Sequence, residues 1–169
     1  LKIGIYSFLS RPIQMDKEAK GSKMKSPFII AEIGINHNGD LNLARKLINV
    51  AKQAGCDAVK FQKRDIDEVY SKEFLSSPRE SPWGSTQGDQ KRGLEFGVDA
   101  YREIDRICRE CEIAWSASAW DRNSVVFLDQ FSLSFNKIAS AMISNTSVVN
   151  DIAERGIKTY ISTGMSTYE

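Results

Sequence analysis

The fold is decided by residues 28–62, which read FIIAEIGINHNGDLNLARKLINVAKQAGCDAVKFQ. An apolar run over 28–35 is followed by an amphipathic stretch over 41–54, which Gly55 closes, and then by a second apolar run over 57–62. A strand, a helix and a strand within about 35 residues have the spacing of a parallel βαβ unit. The sequence therefore predicts an α/β protein built on a parallel sheet.

Charged and polar side chains stand near the carboxyl ends of these two predicted strands. Side chains alternate between the two faces of a strand, so Lys60 and Gln62 share one face of the second strand, and Glu32 lies near the end of the first. A charged group at the end of an apolar strand is costly to bury without a purpose. Ligands of open α/β sheets and of (β/α)₈ barrels bind at this end, so we expect the ligand site there.

Strand and helix patterns repeat regularly in the second half of the chain. Strands are predicted over 113–118, 135–140 and 158–163, and they begin about 22 residues apart, a uniform period that favours a (β/α)₈ barrel over a doubly wound sheet. About five strands are predicted, whereas a barrel needs eight. We therefore predict an incomplete (β/α)₈ TIM barrel that is the N-terminal part of a longer protein, with a complete flavodoxin-like domain as the alternative.

Two segments do not follow this alternation of strands and helices. Residues 1–27 begin with Leu-Lys-Ile-Gly-Ile-Tyr and are predicted to form an N-terminal strand or hairpin extension ahead of the barrel portion, 28–169. Residues 63–97 are polar and lack periodicity, and a connection of this length is usually either functional or disordered. Three apolar residues indicate an ordered excursion over one end of the sheet: Trp83, Leu94 and Phe96.

The composition is that of an ordinary globular protein, with 169 residues, 41% hydrophobic content and a net charge of +1. This balance argues against a generalised nucleic-acid or membrane surface, and a cytoplasmic location is the default expectation. Cys108 and Cys111 have the spacing of a redox or metal motif, but they lie in a helical pattern with no second Cys/His pair, so we interpret them as packing residues.

An anion site is predicted where the strand ends meet. Lysine ammonium groups supply charge, and hydroxyl and backbone N–H groups supply directional donors for phosphate or carboxylate oxygens. The strand ends provide Glu32, Lys60, Gln62, Ser118, Lys137, Ser140, Ser162 and Thr163. Glu32 either acts on a substrate hydroxyl or carbonyl or forms a salt bridge with Lys60. His37, in a turn between Asn36 and Asn38, either caps that turn or contacts substrate.

Several motifs in this sequence resemble the N-terminal part of the sialic acid synthases. The resemblance covers nearly all of 28–169, in order and with consistent spacing. The motifs are AEIGINHNGD followed by DAVKFQK within 31–63, PRESPWGS and GDQKRGLEFG within 78–97, NKIASA at 136–141 and ISTGMST at 161–167.

The resemblance implies a (β/α)₈ barrel that condenses phosphoenolpyruvate with an N-acetylated hexose such as N-acetylmannosamine, releasing phosphate. It also implies a divalent metal, Mn²⁺ or Mg²⁺, whose histidine ligands lie on later strands outside this chain. A small C-terminal antifreeze-like domain, also absent here, would close the partner's active site in a homodimer. We therefore expect no synthase activity from the 169-residue chain alone. A legionaminic or pseudaminic acid synthase and a non-catalytic anion-binding partial barrel are the alternatives.

The resemblance also assigns roles to the strand-end residues. Glu32 and Gln62 fall where the family binds the sugar. Some members carry an acidic residue two positions after the serine of the NKIASA-like motif, where this chain has Met142, so a contact by that carboxylate is not available. The positions where the family holds phosphoenolpyruvate are Lys60, Ser118, Lys137, Ser140 and Ser162. We thus expect catalytic roles for Glu32, Lys60 and Lys137 and substrate contacts from Gln62, the three serines and His37.

Overall fold

Strands and helices alternate along the chain in the computed structural model, which describes residues 2–6, 27–164 and 166–167. The strands are β1 (Lys2–Tyr6), β2 (Phe28–Gly34), β3 (Ala58–Lys63), β4 (Pro78–Ser81), β5 (Gly84–Thr86), β6 (Ala114–Ala119), β7 (Asn136–Ile138) and β8 (Thr159–Ile161). The helices are α1 (Leu41–Gln53), α2 (Ile66–Val69), α3 (Lys72–Ser76), α4 (Gln87–Gly93), α5 (Val98–Glu110), α6 (Arg122–Leu128) and α7 (Thr146–Glu154), with a 3₁₀ turn at Ser140–Met142.

The main sheet has the strand order β1-β2-β3-β6, and β7 pairs separately with β8. The pairs β2–β3, β3–β6 and β7–β8 are parallel, as predicted, whereas β1 runs antiparallel to β2. Ser116 on β6 joins the two sheets by donating its hydroxyl to the carbonyl oxygen of Phe135 at 2.6 Å. Because neighbouring strands run in parallel, their carboxyl ends meet at one edge, where the ligand site was expected.

Helix α1 forms where the sequence pattern predicts it. Asp40 caps its first turn by accepting a hydrogen bond from the Asn42 N–H at 2.7 Å. Ala44, Ile48 and Ala51 recur at helical spacing and are fully buried. Gly55 follows with a φ of +79°, which glycine adopts without strain, and turns the chain into β3.

The hydrophobic core lies between the sheet and helices α1 and α5. Ile33, Val59 and Phe61 from the strands pack in one cluster with Tyr101 and Ile104 from α5. The Tyr101 hydroxyl also donates to the carbonyl oxygen of Gln62 at 3.0 Å. Because the helices cover one face of these strands, the polar side chains at the strand ends are left on the other.

The excursion between β3 and α5 is ordered, as its apolar residues predict. It contains three short helices, α2 to α4, and the β4–β5 hairpin. Arg64 ties its two ends together, because its Nε donates to Glu95 Oε1 at 2.6 Å and its Nη1 donates to the Tyr70 hydroxyl at 2.9 Å. Trp83 from the hairpin region lies against Gly93, where a Cβ atom would overlap the indole ring.

The fourth barrel-type strand is shorter than predicted, since β7 ends at Ile138 rather than at residue 140. The chain leaves the strand at Ala139 and turns, with the Met142 N–H bonded to the carbonyl oxygen of Ala139 at 2.9 Å. In the predicted N-terminal extension, β1 is present, whereas residues 7–26 lie outside the described residues, so a hairpin there stays a prediction. No helix in the described part of the chain is long and apolar enough to cross a membrane.

Candidate active site

A cavity of about 460 Å³ opens at the carboxyl ends of the parallel strands. It contains seven of the nine candidate residues that the sequence analysis names, and the exceptions are His37 and Thr163. Its lining residues are Glu32, Gly34, Ile35, Asn36, Lys60, Gln62, Ser118, Trp120, Lys137, Ala139, Ser140 and Ser162. We call this cavity the mouth. The two lysines come from β3 and β7, so residues far apart in sequence share one ligand-sized space.

Lys60 is held in the mouth by three acceptors. Its side chain is 7% exposed, and its Nζ lies 2.9 Å from Glu32 Oε2. The same ammonium donates to Ser118 Oγ at 3.0 Å and to the carbonyl oxygen of Phe61 at 3.2 Å. Register explains the ion pair, because Glu32 and Lys60 are direct neighbours across the parallel strands β2 and β3. The salt bridge foreseen for Glu32 is therefore present.

Glu32 still faces the mouth despite this salt bridge, since its side chain is 32% exposed and lines the cavity. The β2–β3 register shifts between Glu32 and Gly34, where Gly34 has a φ of +54°. A Cβ atom at Gly34 would stand 3.1 Å from Glu32 Oε1. The glycine therefore leaves room for the carboxylate at the cavity wall.

Lys137 is the second buried cation of the mouth, and the residue is only 3% exposed. Its Nζ donates to the hydroxyl of Ser162 at the end of β8 and to the carbonyl oxygen of Ile138 at 2.7 Å. Ser140 follows β7, and its Oγ accepts from the Gly164 N–H at 3.2 Å. The ends of β7 and β8 thus add an ammonium, two hydroxyls and a nearby loop to the same site.

The environment makes both ammonium groups easier to deprotonate than a lysine in water. Burial lowers the pKa of Lys60, and the Glu32 carboxylate partly counteracts this by raising it. Burial also lowers the pKa of Lys137 to about 8, and the positive charge of Lys60 adds to that effect. Two desolvated cations of like charge are favoured by an anion between them, so the mouth is chemically suited to a phosphate or carboxylate group.

We predict that anion binding at the mouth weakens above pH 8. The Lys137 pKa of about 8 means that its ammonium loses its charge from that pH upwards. Affinity for sulfate, whose own charge stays constant over this range, should then fall by up to about tenfold for each further pH unit. Calorimetric titration of the protein with sulfate at pH 7, 8, 9 and 10 measures this dependence.

Lys137→Arg is the matched control, because a guanidinium keeps its charge throughout this range. Its sulfate affinity should change less with pH than that of the wild type, and equal pH dependence in both proteins would contradict the role of Lys137. The pH dependence of the free energy of unfolding tests the lowered pKa of Lys137 independently. The folded pKa lies below the unfolded value of 10.5, so the free energy of unfolding should increase as pH rises from about 8 towards 10.5.

His37 does not line the mouth. The residue is 2% exposed, its ring stacks on Phe96 at a centroid distance of 4.0 Å, and its Nδ1 accepts from the Gly39 N–H at 3.1 Å. Burial and the charge of Arg64 lower its pKa to about 4, so the ring is neutral at pH 7. These contacts favour the turn-capping interpretation, and the substrate contact of His37 stays a prediction without a geometric basis here.

Sequence reasoning did not foresee several residues of the mouth. Ile35 and Asn36 continue from β2 into the turn, and Trp120 follows β6. A signal for Trp120 was available, because it stands two residues beyond Ser118 and so falls on the same face of an extended chain. Gly34 and Ala139 lacked such a signal, since small residues at a cavity wall look like ordinary strand residues.

The divalent metal that the resemblance implies has no ligand set in the described portion of this chain. Within residues 27–164, 166 and 167, no group of three His, Cys, Asp or Glu side chains is placed to hold an ion. Glu32 is paired with Lys60, and His37 is packed on Phe96. These residues are therefore given no metal-binding role.

The geometry is that of an α/β protein with a cavity at its strand ends that carries two lysine side chains, and comparison with known proteins agrees with that fold. The NeuB family model matches residues 47–169. The human N-acetylneuraminate-9-phosphate synthase is 40% identical over 144 residues, which cover 84% of this chain and 40% of that protein. The N,N'-diacetyllegionaminic acid synthase of Campylobacter jejuni is 36% identical over 146 residues, covering 85% of this chain and 44% of that one.

The fold is also shared with a solved structure, that of the N-acetylneuraminic acid synthetase of Leptospira borgpetersenii in complex with citrate. The TM-score is 0.71 at 24% identity, and the match covers 87% of this chain and 50% of that one. This chain belongs to the NeuB family. It spans less than half of the length of the two curated synthases described above.

Proposed function

We propose that this chain supplies the phosphoenolpyruvate-binding part of a (β/α)₈-barrel synthase that condenses phosphoenolpyruvate with an N-acetylated hexose. One observation carries the proposal: two buried ammonium groups from different strands, Lys60 and Lys137, line one cavity together with three serine hydroxyls. Membership of the NeuB family, whose matched relatives are named as sugar-acid synthases, supports the same reaction class.

Phosphoenolpyruvate carries a phosphate and a carboxylate, and the mouth offers a cation for each. Lys60 and Lys137 provide charge, and the hydroxyls of Ser118, Ser140 and Ser162 provide directional hydrogen bonds. Because both ammonium groups are desolvated, their attraction for an anion is stronger than it would be in water. A Lys–Ser pair from each half of the site, Lys60 with Ser118 and Lys137 with Ser162, orients the ligand between them.

The reaction then forms one carbon–carbon bond and, at C2, replaces the carbon–oxygen bond to phosphate by one to the oxygen of water. In the overall balance, the two protons of that water are accounted for by the new hydroxyl group and the released phosphate. C3 of phosphoenolpyruvate attacks the aldehyde carbon of the open-chain sugar, the aldehyde oxygen takes a proton, and C2 becomes electron-poor. Water adds to C2 and the phosphate leaves, which gives a keto acid with three more carbons than the sugar. Negative charge stays on the phosphate and carboxylate throughout, and the two lysines stabilise it. A divalent metal, when bound to ligands elsewhere in the enzyme, would polarise the aldehyde.

We place Glu32 between the two substrates. Its carboxylate is paired with Lys60 and also lines the mouth, so it is positioned both to hold the lysine and to accept a hydrogen bond from a sugar hydroxyl. Gln62 is on the same face of β3 as Lys60 and contributes an amide that donates and accepts.

Replacement of Glu32 by glutamine should damage the sugar half of the reaction. The amide keeps the shape of the side chain but lacks the negative charge of the carboxylate, which accepts hydrogen bonds from hydroxyls and from Lys60. Loss of a charged hydrogen-bond partner costs about 1–2 kcal/mol, which corresponds to a roughly five- to thirtyfold lower kcat/KM for the sugar. Steady-state kinetics of the full-length enzyme with varied sugar measures it. Glu103→Gln, which removes a carboxylate paired with Arg45 outside the mouth, is the control. An unchanged KM and turnover for the sugar would leave Glu32 with a structural role alone.

The proposed function is tested by phosphate release. The full-length enzyme should release phosphate from phosphoenolpyruvate only when an N-acylated hexose is also present, and mass spectrometry should show a product with three additional carbons. Absence of both results with a series of N-acylated hexoses and added Mn²⁺ or Mg²⁺ would refute the synthase proposal and favour a binding role for the mouth.

A further inference from the structure

Trp120 occupies an unusual position between two cavities. The mouth has a neighbouring cleft of about 390 Å³, formed by the end of α2, the residues after β6, the 3₁₀ turn and the start of α7. Among the residues that the structure describes, Trp120 alone lines both spaces. Trp120 therefore stands between the two spaces as a shared wall.

This wall is held by packing rather than by hydrogen bonding of the side chain. The Trp120 backbone N–H bonds to the carbonyl oxygen of Lys63 at 3.1 Å, and the ring packs against the hydrophobic core cluster. The indole Nε1, however, is buried and has no acceptor anywhere in the described part of the chain. A buried N–H without a partner is unfavourable, so hydrogen bonding of the side chain does not hold the ring in place.

The cleft beyond the wall is partly apolar, and its one lining cation is already paired. Val69, Tyr70 and Met142 contribute apolar surface to it. The cleft has one lining guanidinium, Arg122, and it already forms a two-bond ion pair with Asp151 at 2.6 and 3.1 Å.

The cleft is thus unfavourable for an anionic group. The carboxylates of Glu68 and Asp121 line it, so a phosphate group placed there would face two like charges. Lys91 lies over the Tyr70 ring at 5.9 Å from its centroid and does not line the cleft. An acylamino group, with its apolar chain and neutral amide, matches these surroundings better than a phosphate does.

We propose that Trp120 is a specificity-determining residue that limits the length of the acylamino group on the sugar. This inference rests on the proposed function and adds to it the length of the acylamino group as the substrate feature that the site selects. In the wild type the indole stops the acyl chain at the wall of the mouth, which admits an acetyl group. A smaller residue joins the mouth to the cleft and admits a longer chain.

The test measures kcat/KM for N-acetyl-, N-propanoyl- and N-butanoylmannosamine in the full-length enzyme by phosphate release. Trp120→Ala should raise the ratio of the N-butanoyl to the N-acetyl value at least tenfold, and Trp120→Phe should raise it less, in the same direction. Trp83→Ala is the control, because Trp83 lines neither cavity and is 39% exposed. The ratio of the N-butanoyl to the N-acetyl value in this variant should equal that of the wild type.

Each other outcome counts against the inference. An active wild type whose ratio is unchanged in Trp120→Ala, or in Trp120→Phe when the alanine variant fails to fold by circular dichroism, overturns it while leaving the proposed function intact. A gain for N-acetylmannosamine 6-phosphate instead of the longer acyl sugars overturns the assignment of an uncharged group. A wild type that turns over none of these sugars overturns the proposed function and this inference together.

Discussion

Alanine at Lys60 or at Lys137 should lower kcat/KM for phosphoenolpyruvate roughly 30- to 900-fold in the full-length enzyme. This factor corresponds to a loss of about 2–4 kcal/mol of transition-state stabilisation. Each substitution removes one of two buried cations that line the mouth and leaves the anion with only one charged partner. It also removes a hydrogen-bond partner from a side chain of the mouth, namely from the carboxylate of Glu32 in one case and from the hydroxyl of Ser162 in the other. Initial rates with phosphoenolpyruvate varied at saturating sugar measure the effect.

Lys46→Ala is the matched control, because this lysine lies on an exposed part of α1, away from the mouth. It should behave like the wild type, which shows that the effect is local and not a response to lower net charge. Calorimetry with phosphoenolpyruvate alone separates binding from chemistry. If both mouth variants keep wild-type binding and kinetics, the two ammonium groups have no part in the mechanism.

Gly39→Ala should reduce the free energy of unfolding by about 2–5 kcal/mol. The φ of Gly39 is +68°, a conformation that costs an L-residue about 1–2 kcal/mol. A Cβ atom there would also overlap the carbonyl oxygen of Gly93, so the backbone at the end of α4 would have to move. Overpacking of this kind adds about 1–3 kcal/mol. Urea denaturation followed by circular dichroism gives the difference in unfolding free energy.

Gly55→Ala separates the two contributions. Gly55 has a similar φ of +79°, but a Cβ atom there would meet nothing within 4 Å among the described residues. It should therefore show the conformational cost alone, about 1–2 kcal/mol. Equal losses for the two variants would mean that the overlap with the carbonyl oxygen of Gly93 adds no cost.

Much of the fold could be predicted because it depends on local, periodic signals. Asp40 and Asn145 cap α1 and α7 as their positions suggest, and the alternation of strands and helices follows the hydrophobic period. The end of β7 could not be foreseen, since the residues after Lys137 are as compatible with a continuing strand as with a turn at Ala139. The structure of the excursion was equally out of reach, because its helices have four to seven residues and too little pattern for a period to emerge.

The site followed from the fold more closely than from any single residue. Once the strands are parallel, Lys60, Ser118, Lys137 and Ser162 must meet at the same edge, whatever their separation in sequence. His37 shows where this reasoning stops. Its place in a polar turn suggested a ligand contact, but the turn folds back on the excursion and the ring stacks on Phe96, a partner 59 positions away that no local pattern identifies.

The antiparallel course of β1 has a practical consequence for anyone who expresses this protein. Its pairing places Lys2 beside Glu32, at the mouth end of the sheet, and Tyr6 beside Phe28 at the far end. Any chain that precedes Lys2, an affinity tag included, therefore leaves the sheet next to the mouth. Such additions should be cleaved before assay.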